Sequence, residues 1–165
     1  MIRLSSAMIA ASLAMALQAA SAAEVTQTVT TRASPKKVWH LIGKFEAIKD
    51  WLPGAVSSPA TTDSKVGSVR VITLSAPGNP TVTEKLTAHK GHSYSYVITK
   101  VDPKVLPVTD YSSTITVAKA DGGGATVTWT GNFQPAGGAD DATAEKAVTG
   151  LYRGGLDNIK TLAEK

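Results

Sequence analysis

The feature that most constrains the fold is a single long helical pattern at the C-terminal end, preceded by a long run of strand-like segments. Over residues 141–164 apolar side chains recur on one broad helical face, and Asp140 and Asp141 place negative charge where the helix begins. Between residues 55 and 133 the chain alternates strand-forming runs with turn-forming clusters. A sheet with one apolar face needs a cover, and this helix is the only predicted element long enough to provide it.

The predicted strands account for most of the chain before that helix. Threonine and valine alternate over 24–33, which favours a first strand. Ser34 and Pro35 then suit the N-cap and first position of a short helix that ends at Gly43, and a second short helix is predicted over 45–51. Six further strands are predicted over 55–62, 67–75, 81–89, 92–101, 109–119 and 125–133. The expected architecture is α+β, a curved seven-stranded antiparallel sheet around a long C-terminal helix.

Residues 1–23 have the pattern of a cleaved signal peptide. An early charge at Arg3 is followed by an apolar run and by the small residues Ser21-Ala22-Ala23, so cleavage is predicted after Ala23, with Ala22 as the neighbouring alternative. A membrane anchor is the competing interpretation, but Ser12 and Gln18 interrupt the run, which is shorter than the roughly 20 residues that a span requires. The expectation is therefore a periplasmic protein with one domain, residues 24–165.

The absence of cysteine narrows the chemistry further. Without cysteine the protein has no disulfide, no thiolate nucleophile and no lipid attached at a cleavage-site cysteine. The formal charge of +4 comes from scattered lysines, which favours solubility or attraction to an acidic protein rather than nucleic-acid binding at a periplasmic address. We expect no nucleic-acid partner and no membrane anchor.

Three stretches together resemble a known superfamily. They are Ser34-Pro35-x-x-Val38-Trp39 near the start, Leu106-Pro107-Val108-Thr109-Asp110-Tyr111 in the middle, and Leu151-Tyr152-x-x-Gly155-Leu156 in the last helix. In this order they are similar to the START/Bet v 1-like (SRPBCC, polyketide cyclase-type) helix-grip proteins. With the signal peptide, the chain looks most like the MxaD-type periplasmic proteins of bacterial methanol oxidation. That resemblance implies an accessory role, in which the protein aids methanol dehydrogenase in its interaction with its cytochrome c acceptor.

The helix-grip resemblance also implies a cavity between the sheet and the last helix. Alternation along the strands gives each strand an inward face, on which Ala88 is also expected, and the helix adds Gly154. The candidate pocket residues are Glu84, Tyr94, Tyr96, Tyr111, Ser113, Trp129, Phe133, Leu151, Gly155 and Asn158. Two interpretations stay open: an ordinary hydrophobic core, or a pocket for a small apolar ligand, with the protein as a carrier or sensor.

Glu84 is the most informative single residue. Its strand places it among apolar neighbours, where a carboxylate is costly unless it is paired or hydrogen-bonded, and where its pKa tends upward. It is either a polar anchor or a general acid or base for a ligand, or a structural group that bonds a tyrosine or a turn amide. A cyclase- or dehydratase-type enzyme is a third functional hypothesis, but no second acid or base accompanies Glu84 in the pattern.

The loops at the expected cavity mouth are candidates for a gate or a docking surface. They contribute Pro77, Leu106 and Pro107, and Trp51 and Phe133 are expected nearby as exposed aromatic anchors. His89 and His92 flank a tight turn, but no third ligand is close in sequence, so a solvated hairpin is favoured over a metal site. No catalytic residue, metal or cofactor is predicted.

Overall fold

A computed structural model describes residues 22–165, so that all of the predicted signal peptide except Ala22 and Ala23 lies outside the described residues. The elements in chain order are β1 (Ala23–Thr31), α1 (Pro35–Ile42), a 3₁₀ helix (Phe45–Asp50), β2 (Ala55–Ser57), β3 (Val69–Leu74), β4 (Thr81–Lys90), β5 (Ser93–Lys100), β6 (Val108–Lys119), β7 (Ala125–Pro135) and α2 (Asp141–Ala163). Within the described part of the chain, no helix is long and apolar enough to cross a membrane.

The seven strands form one antiparallel sheet in the order β1-β7-β6-β5-β4-β3-β2. Among these strands the only non-consecutive neighbours are β1 and β7. After β1 the chain therefore crosses to the opposite edge of the sheet, where β2 lies, and returns strand by strand until β7 pairs with β1. Register shifts in β4 and β6 bend the sheet, and Asp110 takes a positive φ of 50° within one of them. The predicted seven-stranded α+β helix-grip architecture is confirmed.

Both α-helices begin where the sequence indicates. Ser34 Oγ accepts the Lys37 N–H at 3.3 Å, ahead of Pro35, and Asp140 Oδ1 accepts the Thr143 N–H at 2.8 Å. The inner stripe of α2 is buried against the sheet and consists of Ala144, Val148, Tyr152, Gly155, Leu156, Ile159 and Ala163. This stripe joins the inward faces of the strands in one continuous core.

Several predicted boundaries and orientations were wrong. The second strand ends at Ser57 instead of residue 62, because Pro59 interrupts it and only an Ala60–Arg70 bridge follows. The second short helix is present close to its predicted bounds, as a 3₁₀ helix. Ala88 is exposed because the register shift after Leu86 reverses the alternation of β4. Gly154 is also exposed, since it lies beside the buried stripe of α2 rather than on it.

Candidate functional site

An apolar cavity of about 160 Å³ lies between the inner face of the sheet and α2. Its lining comes from nearly every layer of the molecule: Ile48, Leu52, Ile72, Leu74, Val82, Glu84, Tyr96, Ile98, Val105, Leu106, Tyr111, Trp129, Ala147 and Leu151. Five of these, Leu74, Ile98, Val105, Ala147 and Leu151, are only half-buried, which places the opening between β3, β5, the β5–β6 loop and α2. The size is that of a cavity able to hold a benzene-sized guest, below the usual range of about 300–1,000 Å³ for drug-sized ligands.

The cavity brings together half of the pocket candidates from the sequence. Glu84, Tyr96, Tyr111, Trp129 and Leu151 line it, and so does Leu106 from the predicted gate loop. The strand alternation that placed them inward therefore holds along β5, β6 and β7.

The other five candidates lie behind the cavity wall. Ser113 hydrogen-bonds other wall residues, and Phe133 stacks on Tyr111 with ring centroids 6.2 Å apart. Asn158 Nδ2 donates to the Trp51 carbonyl at 2.8 Å, so it ties α2 to the end of the 3₁₀ helix. Tyr94 packs against Phe45, with ring centroids 6.1 Å apart. These side chains support the wall without facing the cavity.

Gly155 allows α2 to approach the sheet. A Cβ at this position would stand 2.8 Å from Trp129 Cζ3, which is closer than real Cβ atoms come to such neighbours, and 3.2 Å from Leu52 Cδ1, which is tighter than most real Cβ contacts. The space beneath this glycine is filled by the tryptophan that forms the cavity wall. Close packing therefore accounts for this mid-helix glycine, whereas a Cβ at Gly154 would meet nothing within 4 Å.

The expected aromatic docking surface at the cavity mouth was wrong. Trp51 is 1% exposed and Phe133 is 0% exposed, because Trp51 packs edge-on against Trp129, with centroids 5.4 Å apart, and Phe133 sits on the inner face of β7. Pro77 is exposed in the β3–β4 loop and Pro107 is half-buried beside Leu106, and neither lines the cavity.

A buried ion pair forms one end of the cavity. Glu84 and Arg70 are partners across the β3–β4 ladder, and Arg70 Nε donates to Glu84 Oε2 at 2.6 Å. Arg70 Nη2 is also 2.6 Å from that oxygen, but its N–H does not point along the contact, so this second approach is an ion-pair contact without a hydrogen bond. Arg70 Nη1 donates to the Phe45 carbonyl, and the guanidinium carbon lies 4.0 Å from the centroid of the Phe45 ring. The arginine is fully buried, and among the described residues its Nη2 has the ion-pair contact but no hydrogen bond.

A hydrogen-bonded aromatic cluster forms another part of the cavity wall. Trp129 Nε1 donates to Ser113 Oγ at 2.9 Å and to Tyr96 Oη at 3.1 Å, while Ser113 Oγ donates to the Thr130 carbonyl at 2.7 Å. The hydroxyls of Tyr111 and Tyr152 are hydrogen-bonded to each other, and the Tyr152 ring stacks on Trp129 with centroids 4.2 Å apart. Such a satisfied network fixes the shape of the wall.

Burial dominates the titration behaviour of the site. It raises the pKa of Glu84 above its ordinary value, and the nearby Arg70 charge opposes that shift without cancelling it. Burial likewise raises the pKa of Tyr96 and Tyr111 well above 10, and raises the pKa of Tyr152 to about 12. The tyrosine hydroxyls are therefore neutral at pH 7 and act as hydrogen-bonding groups.

The sequence interpretation missed two residues of this site, Arg70 and Tyr152. Arg70 stands two residues before the buried Ile72 on the same strand, so the alternation of the strand could have indicated its inward orientation. Tyr152 stands four residues after Val148 and four before Leu156, on the buried helical face. Arginine is mostly exposed in folded proteins and tyrosine is intermediate, so neither residue type by itself indicates a buried position.

The histidines lie away from the cavity. His89 Nε2 is 2.8 Å from the Gly43 carbonyl, and the rings of His89 and His92 lie 5.6 and 5.5 Å from that of Trp39. No group of three metal-ligating side chains occurs among residues 22–165. The two histidines instead pack the β4–β5 turn against α1.

Comparisons with known proteins agree with this architecture. A family model described as "Polyketide cyclase / dehydrase and lipid transport" matches residues 22–164. The protein XoxI from Bacillus cereus is 32% identical with a TM-score of 0.75, covering 85% of this chain and 94% of that one. An uncharacterized protein from Bacillus thuringiensis is 31% identical with a TM-score of 0.76, covering 87% and 100%.

A third solved structure is similar in fold alone. The di-domain ARO/CYC BexL from the BE-7585A biosynthetic pathway is 19% identical with a TM-score of 0.69, and the match covers 87% of this chain and 50% of that one. No protein of curated function matches the sequence.

Proposed function

Because the chain belongs to the polyketide cyclase/dehydrase and lipid transport family, we propose that it binds a small, largely apolar molecule in the cavity between the sheet and α2. The observation that carries this proposal is the cavity itself: a mostly apolar space that opens beside α2, with one carboxylate and two tyrosine hydroxyls in its wall. A mostly apolar lining with few polar groups is the usual character of a small-molecule site.

A carrier or sensor role suits this site better than catalysis. The carboxylate is held by an arginine, the tyrosines are neutral at pH 7, and Trp129 and Tyr111 already use their polar atoms in the wall network. A volume of about 160 Å³ is also too small for a drug-sized or lipid-sized guest. The expected guest is therefore a compact molecule of about benzene size.

Ligand binding can be tested by filling the cavity. Leu151→Trp projects a larger ring from α2 into the space that Leu151 now borders, and Leu162→Trp is the matched control, because Leu162 is half-buried on the same helix outside the lining. Native mass spectrometry of protein purified from its own host should show a retained small molecule in the wild type and in Leu162→Trp but not in Leu151→Trp. Equal ligand-free spectra, together with no binding of benzene-sized probes by NMR, would refute the proposal.

A role in methanol oxidation is a separate proposal that rests on the resemblance to MxaD-type proteins alone. In it, the protein acts at a periplasmic address and aids the contact between methanol dehydrogenase and its cytochrome c. The test is a pull-down with both proteins and a measurement of electron transfer between them. No association together with an unchanged transfer rate would remove this role and would leave the ligand-binding proposal untouched.

A further inference from the structure

The two carboxylate oxygens of Glu84 have different surroundings. Both contacts from Arg70 go to Oε2, at 2.6 Å each. Oε1 accepts no hydrogen bond from any residue of the described part of the chain. It is also absent from the side-chain atoms that are both completely buried and without a hydrogen bond, so it retains some accessible surface. Since Glu84 lines the cavity, this oxygen is the part of the carboxylate that faces the empty space.

Most of the other polar groups near the cavity are already hydrogen-bonded or lie outside its lining, so few of them can bind a guest. Arg70 does not line the cavity and is enclosed behind Glu84. The indole N–H of Trp129 is shared between Ser113 and Tyr96, and Tyr111 is bonded to Tyr152. The Tyr96 hydroxyl accepts from Trp129 and retains its own proton. A guest in the cavity therefore meets a free acceptor at Glu84 and a hydroxyl donor at Tyr96.

The ion pair also sets the charge of the guest. Glu84 and Arg70 together are neutral, so a cationic or anionic guest would bring an uncompensated charge into an apolar enclosure at high cost. A neutral hydroxyl can donate to Oε1 and accept from Tyr96 without that cost. Among donors, this distinguishes an alcohol or phenol from an ammonium ion.

We propose that the cavity selects a small neutral molecule of the alcohol or phenol class, whose hydroxyl donates to Glu84 Oε1, with Arg70 as the positioning residue that holds the carboxylate. This inference rests on the proposed ligand binding and adds the chemical class of the ligand. Hydrogen bonds to ionised groups are about twice as strong as neutral ones, so the hydroxyl should decide among guests of equal size.

The test compares phenol with fluorobenzene, which has nearly the same shape but no donor, and with benzoate and benzylammonium as charged probes. Affinities are measured on the wild-type protein by ¹H–¹⁵N chemical-shift titration. We expect phenol to bind about 10-fold or more tightly than fluorobenzene and the charged probes to bind more weakly than both. Equal binding of phenol and fluorobenzene, or a preference for a charged probe, overturns the inference while leaving ligand binding intact. Failure of every probe to shift cavity residues overturns this inference, and together with ligand-free native mass spectra it overturns the ligand-binding proposal as well.

A variant keeps the carboxylate itself under test. Glu84→Gln leaves Arg70 buried without its partner and risks unfolding, so the informative protein is the double variant Arg70→Met/Glu84→Leu, in which both charges are removed together. It should still bind fluorobenzene and should lose the preference for phenol. If the preference persists at its wild-type size in the folded double variant, Glu84 is not the anchor and the inference fails.

Discussion

Removing only the positive partner of the buried ion pair should produce a large, pH-dependent loss of stability. Arg70→Met keeps much of the arginine's apolar stem but leaves the Glu84 carboxylate alone in an apolar wall and the Phe45 carbonyl without its donor. Breaking a buried ion pair in this way typically costs about 3–5 kcal/mol.

The structure allows the two contributions to be separated. The unpaired carboxylate can avoid the free-energy cost of a buried charge by taking up a proton. At pH 7 that protonation costs an amount set by the distance from the ordinary pKa of 4.5, so the carboxylate contributes at most about 3 kcal/mol to the loss of stability. Loss of the hydrogen bond to the Phe45 carbonyl adds about 1–2 kcal/mol that does not depend on pH.

The sign of the pH dependence follows from the direction of the shift. Without Arg70 nothing opposes burial, so the pKa of Glu84 rises further in the folded state than it does now. A raised folded pKa gives a contribution that favours folding below the unfolded value, near 4.5, and is lost as the pH rises through the folded pKa. The penalty relative to wild type should therefore be full at pH 7 and smaller at pH 5 by at most about 2–3 kcal/mol, because the raised pKa of wild-type Glu84 gives that protein part of the same pH dependence.

Urea unfolding followed by far-UV circular dichroism at the two pH values measures both quantities. Arg153→Met is the control, because Arg153 is exposed and bonds only Gln27 on the surface, and its loss should stay within about 0.5 kcal/mol. Arg70→Met/Glu84→Leu should recover most of the pH-dependent part. A loss below about 1 kcal/mol at pH 7, or a loss identical at both pH values, would show that Glu84 is not buried and charged as described.

Three further predictions concern other parts of the fold. All four tyrosines are buried, so the 295 nm absorbance of the native protein should stay flat through pH 10. It should rise only at higher pH, as the pH nears the Tyr152 pKa of about 12 and the chain unfolds. A tyrosine that titrates near pH 10 in the folded protein would contradict this burial. Gly155→Ala should lower the urea midpoint and Gly154→Ala should raise it, a difference of about 1 kcal/mol or more, since only the first Cβ meets the sheet; equal effects would refute the close approach of α2. A hydrogen bond from the backbone N–H of Arg32 lowers the pKa of the Glu164 carboxyl. Glu164→Gln should therefore lose stability at pH 7 but little at pH values below the folded pKa, where the wild-type carboxylate is protonated. A loss that does not depend on pH in thermal unfolding would exclude this linkage.

The parts of the molecule that follow from local periodicity could be predicted from the sequence. The long helix, the succession of strands along the chain and the inward faces of β5 to β7 each depend on spacing that the residues carry themselves. Ala88 could not be placed in this way, because a register shift in β4 reverses its direction and no turn residue marks that shift. Trp51 is buried by Trp129 and α2, which are distant in sequence, so its environment depends on packing that no local pattern records.

The Glu84–Arg70 ion pair is a second feature that local sequence patterns could not predict. Glu84 alone indicated a buried carboxylate, but its partner depends on the register between β3 and β4, which sets Arg70 directly opposite. The loop between these strands contains Ala76-Pro77-Gly78-Asn79-Pro80 and is too long for its turn type to fix that register from sequence. The polar end of the cavity is therefore a consequence of pairing, whereas its apolar lining is a consequence of alternation.

The stacking of Trp129 on Tyr152 gives the cavity an optical readout. This indole borders the cavity, is held by two hydrogen bonds and cannot rotate away from its guest. A molecule that enters the cavity should therefore alter the intensity and wavelength of its emission, while the half-buried Trp39, on the far side near the histidines, should emit unchanged. Trp129→Phe should remove most of the response, with any remainder coming from Trp51, which packs against Trp129, and Trp39→Phe should preserve it, so that occupancy can be followed by fluorescence without a label.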